Sequence, residues 1–234
     1  MVQGFNRQLR YVFLAFLVYL LPHSLRGQLL ALPPAPVVSE RGLALILDFE
    51  VGDSTGAYYN RFLIHPEWPG ASSGVTIGIG YDLGYNSKSV ILQDWNRHPD
   101  SQRLSSVAGI TGSKAKAALP SVRDISTPYP LATDVFQNVT LGRFWALCQR
   151  TWPGFDDLRP NAQAALLSLT FNRGSGMAGD SRREMRNIRD LTASKKYREI
   201  ADQIRKMERL WRGTPDGPGL IRRREAEANL MLTP

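Results

Sequence analysis

The chain has one cysteine in 234 residues, Cys148, so no internal disulfide can form. Its setting, FWALCQRTW, is that of a small buried hydrophobe. The three histidines are scattered, and no Cys, His, Asp or Glu cluster with metal-ligand spacing accompanies them. No metal and no cofactor are therefore expected. Acids are outnumbered by bases, 21 against 29, and the net charge of +8 calls for an anionic partner. Nucleic acid, an anionic membrane and bacterial cell wall all qualify on charge alone. No internal repeat and no low-complexity tract is present. A hydrophobic share of 43% is sufficient for an ordinary packed core.

The longest apolar run near the start, Tyr11 to Leu21, falls short of the roughly 20 residues of a membrane span. Arg7 and Arg10 precede it, which makes a signal-peptide pattern over residues 1–27. An exported protein, periplasmic or secreted, is expected. An uncleaved anchor touching the membrane through residues 11–25 is the alternative. Cleavage would remove Arg7, Arg10 and Arg26 and no acid, so the mature chain stays basic at +5. Leu32 to Val38, LPPAPVV, is a stiff spacer that closes a linker over 28–38. One domain is expected over 39–234, as a monomer.

Ser39 and Glu40 supply an N-cap and an acidic first turn to a helix. Leu43, Ile46, Leu47 and Glu50 follow the i, i+3, i+4, i+7 spacing of one face. Glu50 thus continues an apolar stripe near the negative end of the helix dipole. Both circumstances favour the protonated carboxyl, as a general acid requires. Gly52 is suited to end the helix in a left-handed conformation.

Gly74 to Asp82, GVTIGIGYD, reads as a short strand with Thr76, Gly78 and Gly80 on one face and Val75, Ile77 and Ile79 on the other. The bare glycine face would let a substrate approach closely. Six residues separate Thr76 from Asp82, up to about 20 Å in a straight strand. For both to reach one sugar, a sharp turn is expected at Gly80 or Tyr81. The loop from Asn60 to Gly74 carries His65 and Glu67 and is expected to be solvated.

Glu50, a tyrosine-containing segment and then T-I-G-I-G resemble the active-site region of T-even phage lysozymes. The longer T-I-G-I-G-Y-D-L-G is similar to pesticin-like muramidases. Phage lysozymes carry their second carboxylate six residues before the threonine, where this chain has Gly70. In the pesticin-like pattern the aspartate follows the threonine, at Asp82. The resemblance implies Glu50, Thr76 and Asp82 as catalytic residues and Tyr81 as a substrate contact. It implies an α+β, mainly α, lysozyme-like fold whose small β region carries the active site next to a larger helical lobe.

Further along, residues 86–150 read as helices broken by prolines and glycines, with Trp95, Phe136, Phe144 and Trp145 in the core. Asn161 to Leu169 is expected as the central buried helix. It leads into Phe171-Asn172-Arg173-Gly174-Ser175-Gly176, which resembles the F-N-x-G block of phage-type lysozymes. On that resemblance Asn172 is a binding residue at the cleft edge; as a plain glycine-capped helix end it is structural. Ile200, Ile204, Met207, Leu210 and Trp211 form a core stripe. Pro218 to Glu227, PGLIRRREAE, resembles the closing block of the same superfamily. Its interleaved glutamates point to pairs within the chain, against a phosphate-binding stripe and against nucleic acid.

The resemblance implies a muramidase that cleaves the β-1,4 bond between N-acetylmuramic acid and N-acetylglucosamine in peptidoglycan glycan strands. A lytic transglycosylase is the rival among enzymes. A non-catalytic peptidoglycan-binding protein of the same fold is the rival outside them.

Overall fold

The structure, a computed structural model, describes residues 37–52, 55–215 and 217–234. The expected export segment, 1–27, and the linker up to residue 36 lie outside the described residues. The stretch read as one domain divides into two compact units, residues 50–142 and residues 37–49 with 143–234.

Helix α1, Glu40–Val51, begins where the sequence places it. The Ser39 hydroxyl accepts from the Gly42 amide at 3.2 Å, which satisfies one of the unpaired first-turn donors. Ile46, Leu47 and Val51 are buried, while Leu43 and Glu50 are half-buried. Gly52, with φ +83°, follows directly.

The unit from Glu50 continues through α2, Ala57–Phe62, into a minimal sheet of β1, Thr76–Ile77, and β2, Tyr81–Asp82. Short helices follow: α3 (Lys88–Asp94), α4 (Ser101–Leu104), α5 (Gly112–Ala118) and α6 (Tyr129–Val135), the last running into a π turn over Phe136–Thr140. The core of this unit gathers Val75, Ile77, Tyr81 and Leu83 from the hairpin and its flanks with Ile91, Trp95, Leu104, Val122, Ile125 and Val135 from the helices and turns that follow. Tyr59 ties α2 down: its hydroxyl donates to the Thr127 carbonyl at 2.9 Å. With so few strand residues, helix packing carries the stability and the sheet is held from behind.

In the second unit α7, Leu141–Thr151, leads to α8, Pro160–Arg173, which is buried along nearly its whole length. Proline at its first position and Gly174, φ +69°, after its end set the limits. Its low amphipathicity is that of a helix enclosed on all sides. Around it lie α9 (Arg183–Thr192), α10 (Tyr197–Lys206) and α11 (Gly217–Leu232). Gly42 of α1 is a close approach: a Cβ there would stand 2.1 Å from that of Ala164.

Charge is buried in this unit. Arg223 and Arg224, 0% and 1% exposed, both pair with Glu227, itself 0% exposed. Ser168 donates to the same carboxylate at 2.6 Å. Arg205 pairs with Glu225 at 3.0 Å. Arg223 and Arg224 of the arginine-rich segment are thus spent on pairs within the chain.

Among the described residues no helix is long and apolar enough to cross a membrane.

Candidate active site in the amino-terminal unit

The segment expected as one strand is a hairpin. Thr76 pairs with Asp82 and Ile77 with Tyr81 in antiparallel register. The reversal lies in Gly78-Ile79-Gly80, so it includes Gly80 of the two expected positions and not Tyr81, and the two glycines hold φ values of +57° and +71°. Only residues without a Cβ adopt these angles at little cost. Alternation then sorts the side chains. Val75, Ile77, Tyr81 and Leu83 face the core, all at most 4% exposed, and Thr76 and Asp82 take the other face.

That sorting removes Tyr81 from the substrate side. Its hydroxyl donates to the Asp94 carboxylate at 2.5 Å, and its ring meets Trp95 edge to face, centroids 5.4 Å apart. Tyr81 is a core residue, contrary to the expectation that it contacts substrate. Period two put it opposite Ile77, and a neighbour of a polar residue in a strand points the other way.

Asp82 stands beside Thr76, as its strand partner, yet its carboxylate is turned onto main chain. Oδ1 and Oδ2 accept from the Gly74 amide at 3.1 and 2.9 Å, and Oδ1 also accepts from the Gly84 amide at 2.8 Å. Burial pushes its pKa up to about 6, against the lowering effect of those amides. A side chain at position 74 is impossible here, because a Cβ would lie 2.2 Å from Oδ1 of Asp82.

A small recess opens on the polar side of the hairpin. Glu50, Val51, Leu63, His65, Glu67, Thr76, Gly78 and Gly80 line it. It brings together Glu50 and Thr76 of the expected catalytic set, and Asp82 is not among its lining residues. Glu67 and His65, read from sequence as solvated loop, are part of it. Glu67 exchanges two main-chain bonds with Thr76: its amide donates to the Thr76 carbonyl at 3.0 Å, and its carbonyl accepts from the Thr76 amide at 2.8 Å. The Trp68 indole closes the loop by donating to the Ser73 carbonyl at 3.0 Å. His65 Nδ1 lies 2.9 Å from the Ile125 carbonyl. A carbonyl only accepts, so Nδ1 is the donor in this contact.

Asn172 falls elsewhere. It is the penultimate residue of α8, 8% exposed, and the turn begins only at Gly174. It is a helical residue of the second unit. That unit has its own shallow groove of about 450 Å³, mostly apolar, lined by Trp211, Thr214, Pro218 and Ile221 among others. Among the described residues no titratable side chain lines it. Among the described residues no group of three or more His, Cys, Asp or Glu side chains is placed to hold a metal ion.

Two families match the chain. Residues 45–127 match one described as a domain of unknown function (DUF8812). Residues 132–227 match the family described as Phage lysozyme. No curated protein matches the chain. The F-N-x-G block and the closing arginine block both fall within the Phage lysozyme match, whereas Glu50, Thr76 and Asp82 fall in the other. Helices dominate and the sheet is minimal, the α+β, mainly α make-up of a lysozyme-like fold. The match over residues 132–227 supports a likeness to the T4-type phage-lysozyme-like superfamily, and with it a lysozyme-like peptidoglycan hydrolase in general.

Proposed function

We propose that the protein is a muramidase that hydrolyses the β-1,4 bond between N-acetylmuramic acid and N-acetylglucosamine. The observation that carries this reading is the recess lined by a half-buried glutamate, Glu50, together with Thr76, Gly78 and Gly80. A sugar ring needs close backbone approach, and glycine gives it. A carboxyl at the end of a helix, in a recess with two apolar neighbours, Val51 and Leu63, is suited to hold a proton for a leaving oxygen. The net charge of +8 suits an anionic wall. Export before action, across the inner membrane, belongs to the same proposal, as does a monomeric state.

In this scheme Glu50 protonates the glycosidic oxygen and Thr76 orients the attacking water. Asp82 takes part through the hairpin that holds Thr76. Glu50→Gln tests the reading. It is expected to fold as the parent does and to lose about 10²–10⁴-fold of its activity on purified cell walls. A variant that keeps more than half the parental rate overturns it. Product analysis in the same assay distinguishes free reducing ends from the 1,6-anhydro ends of a transglycosylase.

A further inference from the structure

The row across the small sheet runs Glu67, Thr76, Asp82, with Thr76 in the middle. Glu67 and Thr76 are an opposed antiparallel pair that shares both main-chain hydrogen bonds, so their side chains leave the same face, with Cβ atoms about 5 Å apart. Thr76 and Asp82 are the opposed pair on the other edge. Two carboxylates thus flank one hydroxyl, and their surroundings differ. Both Asp82 oxygens accept main-chain amides, and the group does not line the recess. Glu67 lines it with Glu50 and Thr76.

The segment that carries Glu67 is built to hold a position. Pro66 and Pro69 are buried, Trp68 is tied to Ser73, and His65 is tied to the Ile125 carbonyl. His65 and Glu67 are two residues apart in extended chain and line the same recess.

We propose that Glu67, and not Asp82, is the second catalytic carboxylate, accepting a proton from the water that Thr76 orients. This rests on the muramidase reading above. The step balances without a further reactant. Glu50 gives its proton to the glycosidic oxygen as the bond from that oxygen to C1 breaks. The water oxygen bonds to C1, and the proton it sheds goes to Glu67. Exchange with solvent then returns a proton to Glu50 and removes one from Glu67. Asp82 is a positioning residue: it straps Gly74 and Gly84 together and so fixes the strand bearing Thr76.

The ionisable groups around Glu67 are Glu50 and His65 in the recess and Asp82 beyond Thr76, with Asp124 next to His65. The test compares Glu67→Gln, Asp82→Asn and Glu50→Gln in the full chain, on purified walls, with pH–rate profiles and thermal unfolding. Glu67→Gln is expected to unfold near the parental temperature, to lose about 10²-fold or more of its rate, and to lose the acidic limb of its residual pH profile. Asp82→Asn is expected to keep that limb and more than a tenth of the rate while unfolding at lower temperature. Should Glu67→Gln prove unstable, Glu67→Asp takes its place, with a smaller loss and a retained acidic limb expected. The inference falls if Glu67→Gln, or in its place Glu67→Asp, keeps more than half the rate, or if folded Asp82→Asn alone loses the acidic limb. If Glu50→Gln is inactive and Glu67→Gln active, only this inference fails. If Glu50→Gln is active, the muramidase reading fails first.

Discussion

The Gly74 amide donates to both carboxylate oxygens of Asp82, at 3.1 and 2.9 Å, across the mouth of the hairpin. The contact works only because position 74 has no side chain. Gly74→Ala would drive a Cβ to within 2.2 Å of Oδ1 and 2.4 Å of the Gly84 amide. Overpacking at a tied backbone typically costs about 1–3 kcal/mol. Chemical denaturation should show a loss at or above the top of that range, together with lost wall lysis.

The same aspartate makes stability depend on pH. Its pKa is raised to about 6 in the folded chain, above the ordinary 3.8. The folded state therefore holds this proton more tightly than the unfolded one. The associated stability is fully present below pH 3.8 and is lost as pH rises through 6. Two units correspond to about 3 kcal/mol. Relative to Asp82→Asn, the parent should lose stability between pH 4 and pH 7, read from paired denaturation curves. A difference that stays flat across this window contradicts the burial argument.

A third expectation concerns the buried charges of the second unit. Arg223 and Arg224 share Glu227, and none of the three is more than 1% exposed. Glu227→Gln leaves two guanidinium groups in the interior without their carboxylate. Breaking a buried pair in this way costs about 3–5 kcal/mol. A large fall in unfolding temperature is expected, against a small one for Arg205→Gln, whose partner Glu225 is half-exposed.

Cys148 should be inert. It is 0% exposed, and burial pushes its thiol up to about 12. At pH 8 the thiolate needed for alkylation is scarce and screened by the core. Iodoacetamide should leave the native protein unmodified by mass spectrometry and label it once after denaturation. Rapid native labelling would show that the interior around α7 opens readily.

Much of this structure was legible in the chain. The apolar spacing from Leu43 to Glu50 and the serine before it gave α1, and Pro160 with Gly174 bracketed α8. The glutamates among Arg222, Arg223 and Arg224 announced pairs within the chain. The hairpin was not legible as such: Thr-Ile-Gly-Ile-Gly alternates like a strand, and a glycine does not reveal from sequence whether its φ is positive. Tyr81, a substrate contact by resemblance alone, packs in the core on the face of Val75 and Ile77. Glu67 was hidden for a different reason. Prolines and small polar residues around it look like solvated loop, and the pairing that orders it reaches nine residues ahead to Thr76. Local composition carries no trace of that contact.

Gly78 rests on Trp95, whose ring would stand 2.8 Å from any added Cβ, and Trp95 in turn meets Tyr81 and His98. The chemistry-bearing face of the hairpin is thus a casting of the apolar surface beneath it. A genetic screen for lysis-defective alleles would return Trp95, Leu83 and Ile91 alongside Glu50. The map of sensitive positions would outline the mould as well as the reactive groups. Suppressors of such core alleles should arise in that apolar layer, among residues that never meet the glycan.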